Sequence, residues 1–330
     1  IKFFILSKNI LSMNKTSNIK ITFCPGPGAV LPEWHSNQKE FFGRGDFEYK
    51  KLKLKTIKWI KKLSGQDEVI PVAGAGTTAA VVALNTFLTN KILVINSGYY
   101  AARWLNYLKK VKKFKKIKEI SYEEFIKQKS LNGYEWVLFV YVETAACKKF
   151  DLKLVKKICN KKKQKLMVDA TASIGLEANH KLADVTFFSS CKGLFGPTGL
   201  GFIAYKKKLK LLESSDFLLN YKTHQNSKYT LGYNCMAALY AISRIHSKLK
   251  KKIFFSKEYL KDYVLNYQNS PLIGVGLKNK IKNKLKKNNI FYQPRLNPGY
   301  DVIFFLGLIK LNNTQIKKVL NERIIKNLKL

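Results

Sequence analysis

Short apolar segments alternate with longer helical patterns through most of the chain, and this alternation restricts the possible folds more than any other feature. Residues 136–142 are apolar at every position, which is typical of a strand buried on both faces. Continuous apolar strands separated by helices indicate an α/β fold with a mainly parallel sheet covered by helices. Further strands are predicted at residues 68–72, 91–96, 165–169, 185–189 and 201–205, and helices at residues 77–89, 101–111, 152–163 and 237–250.

The pattern changes after about residue 255, where short strands near Phe291 and at residues 301–305 lie between lysine-rich helices. This change indicates a smaller α+β domain. The length of 330 residues also favours two domains. We expect a large domain at residues 21–250 and a small C-terminal domain at residues 251–330, with residues 1–20 as an N-terminal arm or upstream extension.

Several classes of protein are disfavoured by the composition. The longest apolar stretches, such as residues 136–142 and 302–308, are far shorter than the roughly 20 residues of a membrane-spanning helix, so no membrane partner is expected. The five cysteines are scattered, with no CxxC and no Cys/His pair at metal-ligand spacing. Neither a disulfide framework nor a metal site is therefore expected, and reduced thiols fit a cytoplasmic protein.

The net charge of +40, from 61 basic and 21 acidic residues, is the feature that could indicate a nucleic-acid partner. Only five of the basic residues are arginines, however, and arginine provides most base readout and planar phosphate recognition. The lysines accompany abundant Ile and Asn, as in an AT-rich coding sequence. We therefore interpret them as solvated helix faces and expect no nucleic-acid partner.

The strongest candidate for a catalytic site lies at two predicted strand ends. Asp169 ends one strand, and Lys192 follows another about 23 residues later, ahead of a Gly/Pro-rich loop. Ligands of open α/β sheets bind beyond the carboxyl ends of strands. A lysine can form a Schiff base with the aldehyde of pyridoxal phosphate, and a carboxylate can keep the pyridine nitrogen protonated. The spacing alone leaves an ion pair at the sheet edge as the alternative.

A second candidate site is the glycine-containing segment at residues 72–78, which opens the Ala/Val-rich helix. Gly74 and Gly76 let a ligand approach the backbone, and the start of the helix offers free N–H groups to a phosphate. Thr77 or Thr78 can cap this helix and donate to the same phosphate. A dinucleotide site can use a similar turn, but the third glycine of that fingerprint is absent, and no Gly-Lys-Ser/Thr follows as in a P-loop.

In their order along the chain, these motifs resemble the class V aminotransferases of pyridoxal-phosphate fold type I. This group includes alanine–glyoxylate, serine–pyruvate, 2-aminoethylphosphonate–pyruvate and phosphoserine aminotransferases. The resemblance runs from the Pro-Gly-Pro at residues 25–27 to about residue 245, and the small domain matches loosely. It implies the fold type I architecture, pyridoxal 5′-phosphate as cofactor and an aminotransferase activity.

The resemblance also implies roles for individual residues. Lys192 would form the Schiff base, Asp169 would pair with the pyridine nitrogen, and Thr171 would lie beneath the ring. Tyr100 would stack on the ring, with plain core packing as the alternative. The other implied contacts are Ala75, Gly76 and Thr77 in the phosphate cup, Thr144 (after Glu143) on the phenolic oxygen, Cys191 beside the lysine, Pro25 and Gly26 at the substrate side, and Thr230 on the phosphate of the neighbouring subunit.

Two positions depart from the family pattern. Cys191 stands where these enzymes more often have Gln, Asn or His, so one phosphate contact is in doubt. Val302 occupies the place of the arginine that grips the substrate carboxylate, so we expect the nearby Arg295 to bind this group, with Arg44 as the second choice. Arg103 is interpreted as structural.

Within the family, the sequence argues against two subtypes. Ser36 and Asn37 follow His35, where a phosphoserine enzyme has an arginine. No histidine precedes Lys192, as it does in a cysteine desulfurase. The three other histidines, His180, His224 and His246, have no partner pattern and are expected on the surface.

The resulting expectation is an aminotransferase that moves an amino group from a small amino acid or aminophosphonate to a 2-oxo acid through a Lys192 Schiff base. The match at Thr230 implies a homodimer with shared active sites. A pyridoxal-phosphate lyase on the same scaffold would share each of these motifs, and a basic nucleic-acid-binding protein would leave the cofactor site unused. Both remain alternatives at this point.

Overall fold

The computed structural model describes most of the chain, namely residues 20–38, 45–111, 113–128, 132–161, 163–225, 232–265, 270, 274–278, 289–292, 295 and 299–328. The arm predicted at residues 1–20 lies outside these residues except for Lys20. In chain order the strands are β1 (Ile21–Phe23), β2 (Glu68–Gly74), β3 (Lys91–Asn96), β4 (Lys116–Ser121), β5 (Trp136–Val140), β6 (Val142–Glu143), β7 (Lys148–Lys149), β8 (Lys165–Asp169), β9 (Val185–Ser189), β10 (Gly199–Tyr205), β11 (Val275–Gly276), β12 (Asn289–Phe291) and β13 (Val302–Ile303).

The helical elements range from short turns to a helix of 27 residues. Short 3-10 turns form at Pro32–Trp34, His180–Leu182, Lys261–Tyr263 and Leu306–Leu308, and a π turn forms at Asn321–Ile325. The α-helices are α1 (Phe47–Ser64), α2 (Gly76–Phe87), α3 (Tyr99–Val111), α4 (Tyr122–Lys127), α5 (Leu152–Lys161), α6 (Tyr221–Gln225), α7 (Tyr233–Tyr259), α8 (Asn313–Leu320) and α9 (Lys326–Leu328).

Seven strands form the central sheet in the order β2-β10-β9-β8-β5-β3-β4. Five of the strands, from β9 to β4, pair in parallel, while β10 runs antiparallel to both of its neighbours. The predicted mainly parallel sheet is therefore confirmed. All five residues of β5 are buried, as expected for a strand with helices on both faces.

Local sequence explains where the helices begin and end. Asp46 caps α1, because its side chain accepts a hydrogen bond from the Tyr49 N–H at 2.9 Å, and Gly65 ends the helix with φ +64°. The helix α5 is amphipathic as predicted, with Leu152, Val155 and Cys159 on its buried face. The helix predicted from residue 101 begins at Tyr99, two residues earlier.

Two apolar layers cover the sheet. One layer includes the α2 and α3 side chains Leu84, Phe87 and Leu108, and the other includes side chains of α1, α5 and α7. The larger layer continues into the C-terminal region through Phe305 and Leu308. The sheet is therefore packed on both faces, which fixes the positions of its strand ends.

The C-terminal region is built of short pieces. β1 pairs in parallel with β12, and β11 pairs antiparallel with β13. The strand expected at residues 301–305 is shorter than predicted, because a 3-10 turn follows β13. α7 continues through residue 250, and a domain boundary there stays a prediction.

Among the described residues, no helix combines the length and apolar character needed to cross a membrane.

Candidate active site

A cavity of about 180 Å³ opens at the edge of the sheet where the parallel strands have their carboxyl ends. Strand β10 begins at this edge, because it runs in the opposite direction. Parallel strands place the residues that follow them at one edge, so segments far apart in sequence meet there. The lining residues are Ala75, Gly76, Thr77, Tyr100, Arg103, Trp104, Val140, Val142, Thr144, Asp169, Thr171, Ala172, Ser189, Cys191 and Lys192.

Lys192 is the basic group at the centre of this site. It follows β9, and its Nζ lies 5.4 Å from the centre of the Tyr100 ring. The Pro-Gly-Pro segment lies against it, because a Cβ added at Gly26 would be 2.9 Å from Lys192 Cγ. Burial lowers the pKa of Lys192, although the charges of Asp169 and Glu143 act in the opposite direction. A lysine with a lowered pKa is a better nucleophile and base at neutral pH.

Asp169 is the acidic group of the cavity and is 4% exposed. Its Oδ1 accepts a hydrogen bond from the Thr171 N–H at 2.9 Å, and its Oδ2 accepts one from the Trp104 indole N–H at 2.8 Å. A carboxylate has about four acceptor positions, so both oxygens keep capacity for a further donor. The site therefore presents a fixed, buried carboxylate to any ligand in the cavity.

Tyr100 lies in the first turn of α3 and is oriented by a second buried acidic group, Glu143. Glu143 is fully buried, and its Oε2 accepts from the Tyr100 N–H at 2.8 Å while Oε1 accepts from the Ala145 N–H at 3.0 Å. Burial raises the pKa of Glu143 to about 7. Gly98 leaves room for this contact with φ +142°, because a Cβ there would lie 2.7 Å from Glu143 Cγ.

The anion-binding part of the cavity is the N-terminus of α2. Its first N–H groups have no partner within the helix and lie at the positive end of the helix dipole. Ala75, Gly76 and Thr77 line the cavity here, and Ser189 faces them from the end of β9. A Cβ at Gly76 would lie 3.0 Å from Ser189 Cβ, so a larger residue here would have to displace Ser189 by a few tenths of an ångström.

The donors and acceptors of the cavity fit pyridoxal phosphate. A phosphate needs N–H and O–H donors, which α2 and Ser189 provide, and a protonated ring nitrogen needs an acceptor, which Asp169 provides. The Thr144 hydroxyl is buried near the Tyr100 hydroxyl, and within 3.5 Å it has no hydrogen-bond partner among the described residues. A buried hydroxyl of this kind is satisfied when a ligand oxygen occupies the cavity.

The remaining predicted site residues lie in different places. Cys191 lines the cavity, and its Sγ lies 3.8 Å from Ser189 Oγ. The Arg295 guanidinium lies 4.6 Å from the centre of the Tyr99 ring and 5.7 Å from that of Tyr100. Val302 is buried in β13. Arg44 and Thr230, for which the sequence predicted binding roles, lie outside the described residues.

Sequence reasoning missed six residues that line the cavity, of which three are apolar (Val140, Val142 and Ala172) and three carry polar groups (Arg103, Trp104 and Ser189). Arg103, interpreted as structural, has its guanidinium 5.2 Å from the centre of the Trp104 ring. The available signal for Trp104 was its spacing of four residues from Tyr100, which places both on one face of a helix. Ser189 ends a predicted strand, so its location at the active edge could have been anticipated.

The prediction that three histidines lie on the surface is wrong. His180, His224 and His246 are 2%, 2% and 5% exposed. Each is satisfied by a hydrogen bond, and burial lowers the pKa of all three. His246 contacts the loop that follows Lys192 directly, because its Nε2 lies 2.7 Å from the carbonyl oxygen of Gly193. This contact depends on α7 packing, which local sequence patterns do not reveal.

Comparison with known proteins gives one family and many similar folds. The family model described as aminotransferase class-V matches residues 32–230. The fold resembles an aspartate aminotransferase of subgroup IV from Thermus thermophilus (16% identity, TM-score 0.76, 92% of this chain and 99% of that chain). It also resembles an alanine–glyoxylate aminotransferase from Nostoc sp. (16% identity, TM-score 0.75, 94% of this chain and 94% of that chain). A further similar fold is a pyridoxamine–pyruvate aminotransferase from Mesorhizobium loti (13% identity, TM-score 0.76, 94% of this chain and 93% of that chain). No curated protein sequence matches the chain significantly.

Proposed function

The chain belongs to the class V aminotransferase family, and from this membership we propose that it moves an amino group from a small amino acid or aminophosphonate to a 2-oxo acid, with Lys192 as the residue that carries the cofactor. Pyridoxal phosphate is the cofactor that the family implies. The observation that carries the assignment to Lys192 is its location with Asp169 and the α2 N-terminus around one cavity.

When bound, pyridoxal phosphate supplies an electron-withdrawing ring that stabilises negative charge on the carbon that loses a proton. The N–H groups at Gly76 and Thr77, together with Ser189, would hold its phosphate beside Ala75, whose own N–H donates to Thr78 Oγ1 at 3.3 Å. Thr144 would donate to its phenolic oxygen, and Tyr100 would cover one face of its ring. Asp169 would hold the proton on the ring nitrogen, which keeps the ring electron-withdrawing.

Lys192 would have two roles. Its Nζ would hold the cofactor covalently in the resting enzyme, and after substrate displaces it, the free amine would take the proton from the substrate Cα as a general base. The lowered pKa of Lys192 supports the second role, because only the neutral amine can accept this proton. The same amine, once protonated, would act as a general acid and deliver the proton to the C4′ carbon of the cofactor.

We assign the substrate carboxylate to Arg295. Its guanidinium lies over the Tyr99 and Tyr100 rings, and Lys192 Nζ lies 5.4 Å from the same Tyr100 ring. Arginine suits a carboxylate because its planar fork can make two parallel hydrogen bonds. Arg295→Ala should raise KM for 2-oxo acids about tenfold or more and leave the spectrum of bound cofactor unchanged. Arg244→Ala is the matched control, because Arg244 contacts Tyr240 on α7; equal KM values for the two variants would contradict the assignment.

We further propose a homodimer in which Thr230 reaches the phosphate of the neighbouring subunit. Mixed dimers of Lys192→Ala and Thr230→Ala subunits would then hold one site with both defects and one site with neither. Activity should recover partly relative to either variant alone. Mixed dimers that show no recovery would contradict the shared site.

The five cysteines form no disulfide, which supports a reducing compartment such as the cytoplasm.

The experiment that tests the proposed activity is a panel of amino donors and 2-oxo acids, with both products identified. Transfer of the amino group to a 2-oxo acid supports the proposal. Release of ammonia or loss of a substituent without transfer would support a lyase instead.

A further inference from the structure

Trp104 makes a contact that the proposed function does not use. Its indole N–H donates to Asp169 Oδ2 at 2.8 Å, across 65 residues of sequence, and the side chain is 4% exposed. The hydrogen bond is therefore shielded from water, which makes it stronger than an exposed one. Trp104 also lines the cavity, so its contact with Asp169 is made at the ligand site itself.

The two hydrogen bonds on Asp169 come from different parts of the fold. Thr171 N–H, from the turn after β8, binds Oδ1, while Trp104, from α3, binds Oδ2. Donors on both oxygens fix the plane of a carboxylate, whereas a single donor leaves rotation about the Cβ–Cγ bond. The Thr171 N–H belongs to the backbone next to Asp169, so the orientation relative to the rest of the cavity depends on Trp104.

Trp104 is itself held in place from three sides. Its ring packs edge-on against Phe187 of β9, with ring centres 5.7 Å apart, and Arg103 lies 5.2 Å from its centre. The start of α3 is fixed by Glu143, which accepts from the Tyr100 N–H. Tyr100 and Trp104 are four residues apart, so one face of α3 presents both to the cavity.

We propose that Trp104 is a positioning residue that orients the Asp169 carboxylate towards the ring nitrogen of the cofactor. This inference rests on the proposed function, because it assumes that Asp169 pairs with the cofactor. It adds the Trp104 hydrogen bond, through which α3 sets the orientation of the Asp169 carboxylate. Loss of the indole N–H leaves Asp169 Oδ2 without its donor and frees the carboxylate to rotate. The cofactor then loses part of its interaction with Asp169, although Asp169 itself is unchanged.

The first test uses Trp104→Phe, which keeps an aromatic ring and removes the N–H. The apparent dissociation constant for pyridoxal phosphate, from absorbance titration of cofactor-free protein, should rise about tenfold. Trp136→Phe is the matched control. Trp136 is also buried, but its Nε1 has no hydrogen-bond partner among the described residues. The affinity of the Trp136→Phe protein for pyridoxal phosphate should therefore stay within about twofold of wild type. An unchanged affinity for Trp104→Phe overturns the proposal.

A double mutant separates positioning from packing. In an Asp169→Asn background, Trp104→Phe should cause little further loss of affinity, because the carboxylate that it orients is already gone. A tenfold loss that persists in this background overturns the proposal, because Trp104 would then act through the shape of the cavity.

A second readout needs no cofactor and therefore survives failure of the proposed function. In cofactor-free protein, Asp169→Asn should shift the Trp104 indole ¹H–¹⁵N resonance and speed its hydrogen exchange. The indole resonance of Trp34, which donates to the Phe195 carbonyl at 2.9 Å, should stay in place as an internal control. A Trp104 resonance that does not respond to Asp169→Asn overturns the proposal even if the cofactor binds as expected.

Discussion

The two edges of the central sheet each hold a buried aspartate, and the two are held differently. Asp169 ends β8 at the active edge, and Asp184 precedes β9 at the opposite edge. They are 4% and 6% exposed, so each would be costly if its charge were left without partners. The comparison therefore shows how one sheet can use the same residue type for structure and for chemistry.

Asp184 is neutralised within the chain. Lys156 Nζ lies 2.7 Å from Oδ2 and Lys206 Nζ 2.9 Å from Oδ1, and the Leu166 N–H donates to Oδ2 at 2.8 Å. Burial would raise the pKa of Asp184, but the hydrogen bonds from Lys156, Leu166 and Lys206 outweigh it and lower the pKa. This carboxylate joins α5 to the end of β10.

Asp169 is held by neutral donors instead, the Trp104 and Thr171 N–H groups. Its charge is therefore oriented but still available to a cation in the cavity. A carboxylate with two lysines within 3 Å would gain little from a cationic ligand, whereas Asp169, which has neutral hydrogen-bond donors and interacts with Lys192 only through its charge, would gain more. The source of the hydrogen bonds thus distinguishes the aspartate proposed for catalysis from the structural one.

The largest expected effect is on turnover when Asp169 loses its charge. Asp169→Asn should lower kcat/KM about 10³-fold, roughly 4 kcal/mol of transition-state stabilisation, because the ring nitrogen loses the partner that keeps it protonated. The free energy of unfolding should fall by about 1 kcal/mol, because the single amide oxygen of asparagine can replace only one of the two carboxylate oxygens that accept from the Thr171 and Trp104 N–H groups. Near-normal turnover would remove the distinction between the two aspartates.

The next effect is on stability at the opposite edge. Asp184→Asn should lower the free energy of unfolding by about 3 kcal/mol, because it leaves two largely buried lysines without their counter-charge. Denaturant titration measures this loss, and kcat at 25 °C should stay near the wild-type value. A stable Asp184→Asn protein with impaired catalysis would reverse the roles assigned to the two edges.

The smallest effect per step is a pH slope that concerns Glu143, a second buried acidic group of the active edge that is held by neutral donors. Burial raises its pKa to about 7 from an ordinary value of 4.5, so the folded protein keeps a proton that the unfolded chain has lost between these values. The free energy of unfolding should therefore fall as pH rises through this window, by up to about 1.4 kcal/mol per pH unit from this group.

Glu143→Gln should remove that contribution, which unfolding titrations at several pH values between 4.5 and 8 can measure. Glu123→Gln, at an exposed position of α4, should keep the wild-type slope. Equal slopes for Glu143→Gln and wild type would show that Glu143 titrates normally, against its assignment to the buried active edge.

Much of the fold and part of the candidate site could be predicted because they depend on local pattern. The predicted bounds of β3, β8 and β9 match those observed, since apolar strands between turns are recognisable locally. The carboxyl ends of parallel strands lie on the same side of a sheet, so the nearby locations of Asp169 and Lys192 could be predicted as well.

The rest depends on packing between distant segments. Trp104 meets Asp169 across 65 residues, and His246 meets Gly193 across 53, so no spacing rule indicates either contact. The polarity of His246 suggested an exposed residue, whereas the Gly193 carbonyl satisfies it in the interior. Arg295 was expected from its nearness in sequence to the C-terminal strand, and its substrate role stays a prediction.

The assignment of Lys192 as the cofactor-bearing residue is the central claim, and covalent labelling tests it most directly. The holoenzyme is reduced with borohydride, digested, and mapped by mass spectrometry for the residue that carries the cofactor. The chain has 61 basic residues, five of them arginines, so a random attachment would be spread over many lysines. We predict label on Lys192 alone and none in Lys192→Ala. Label on another lysine, such as the buried Lys257, would contradict the account.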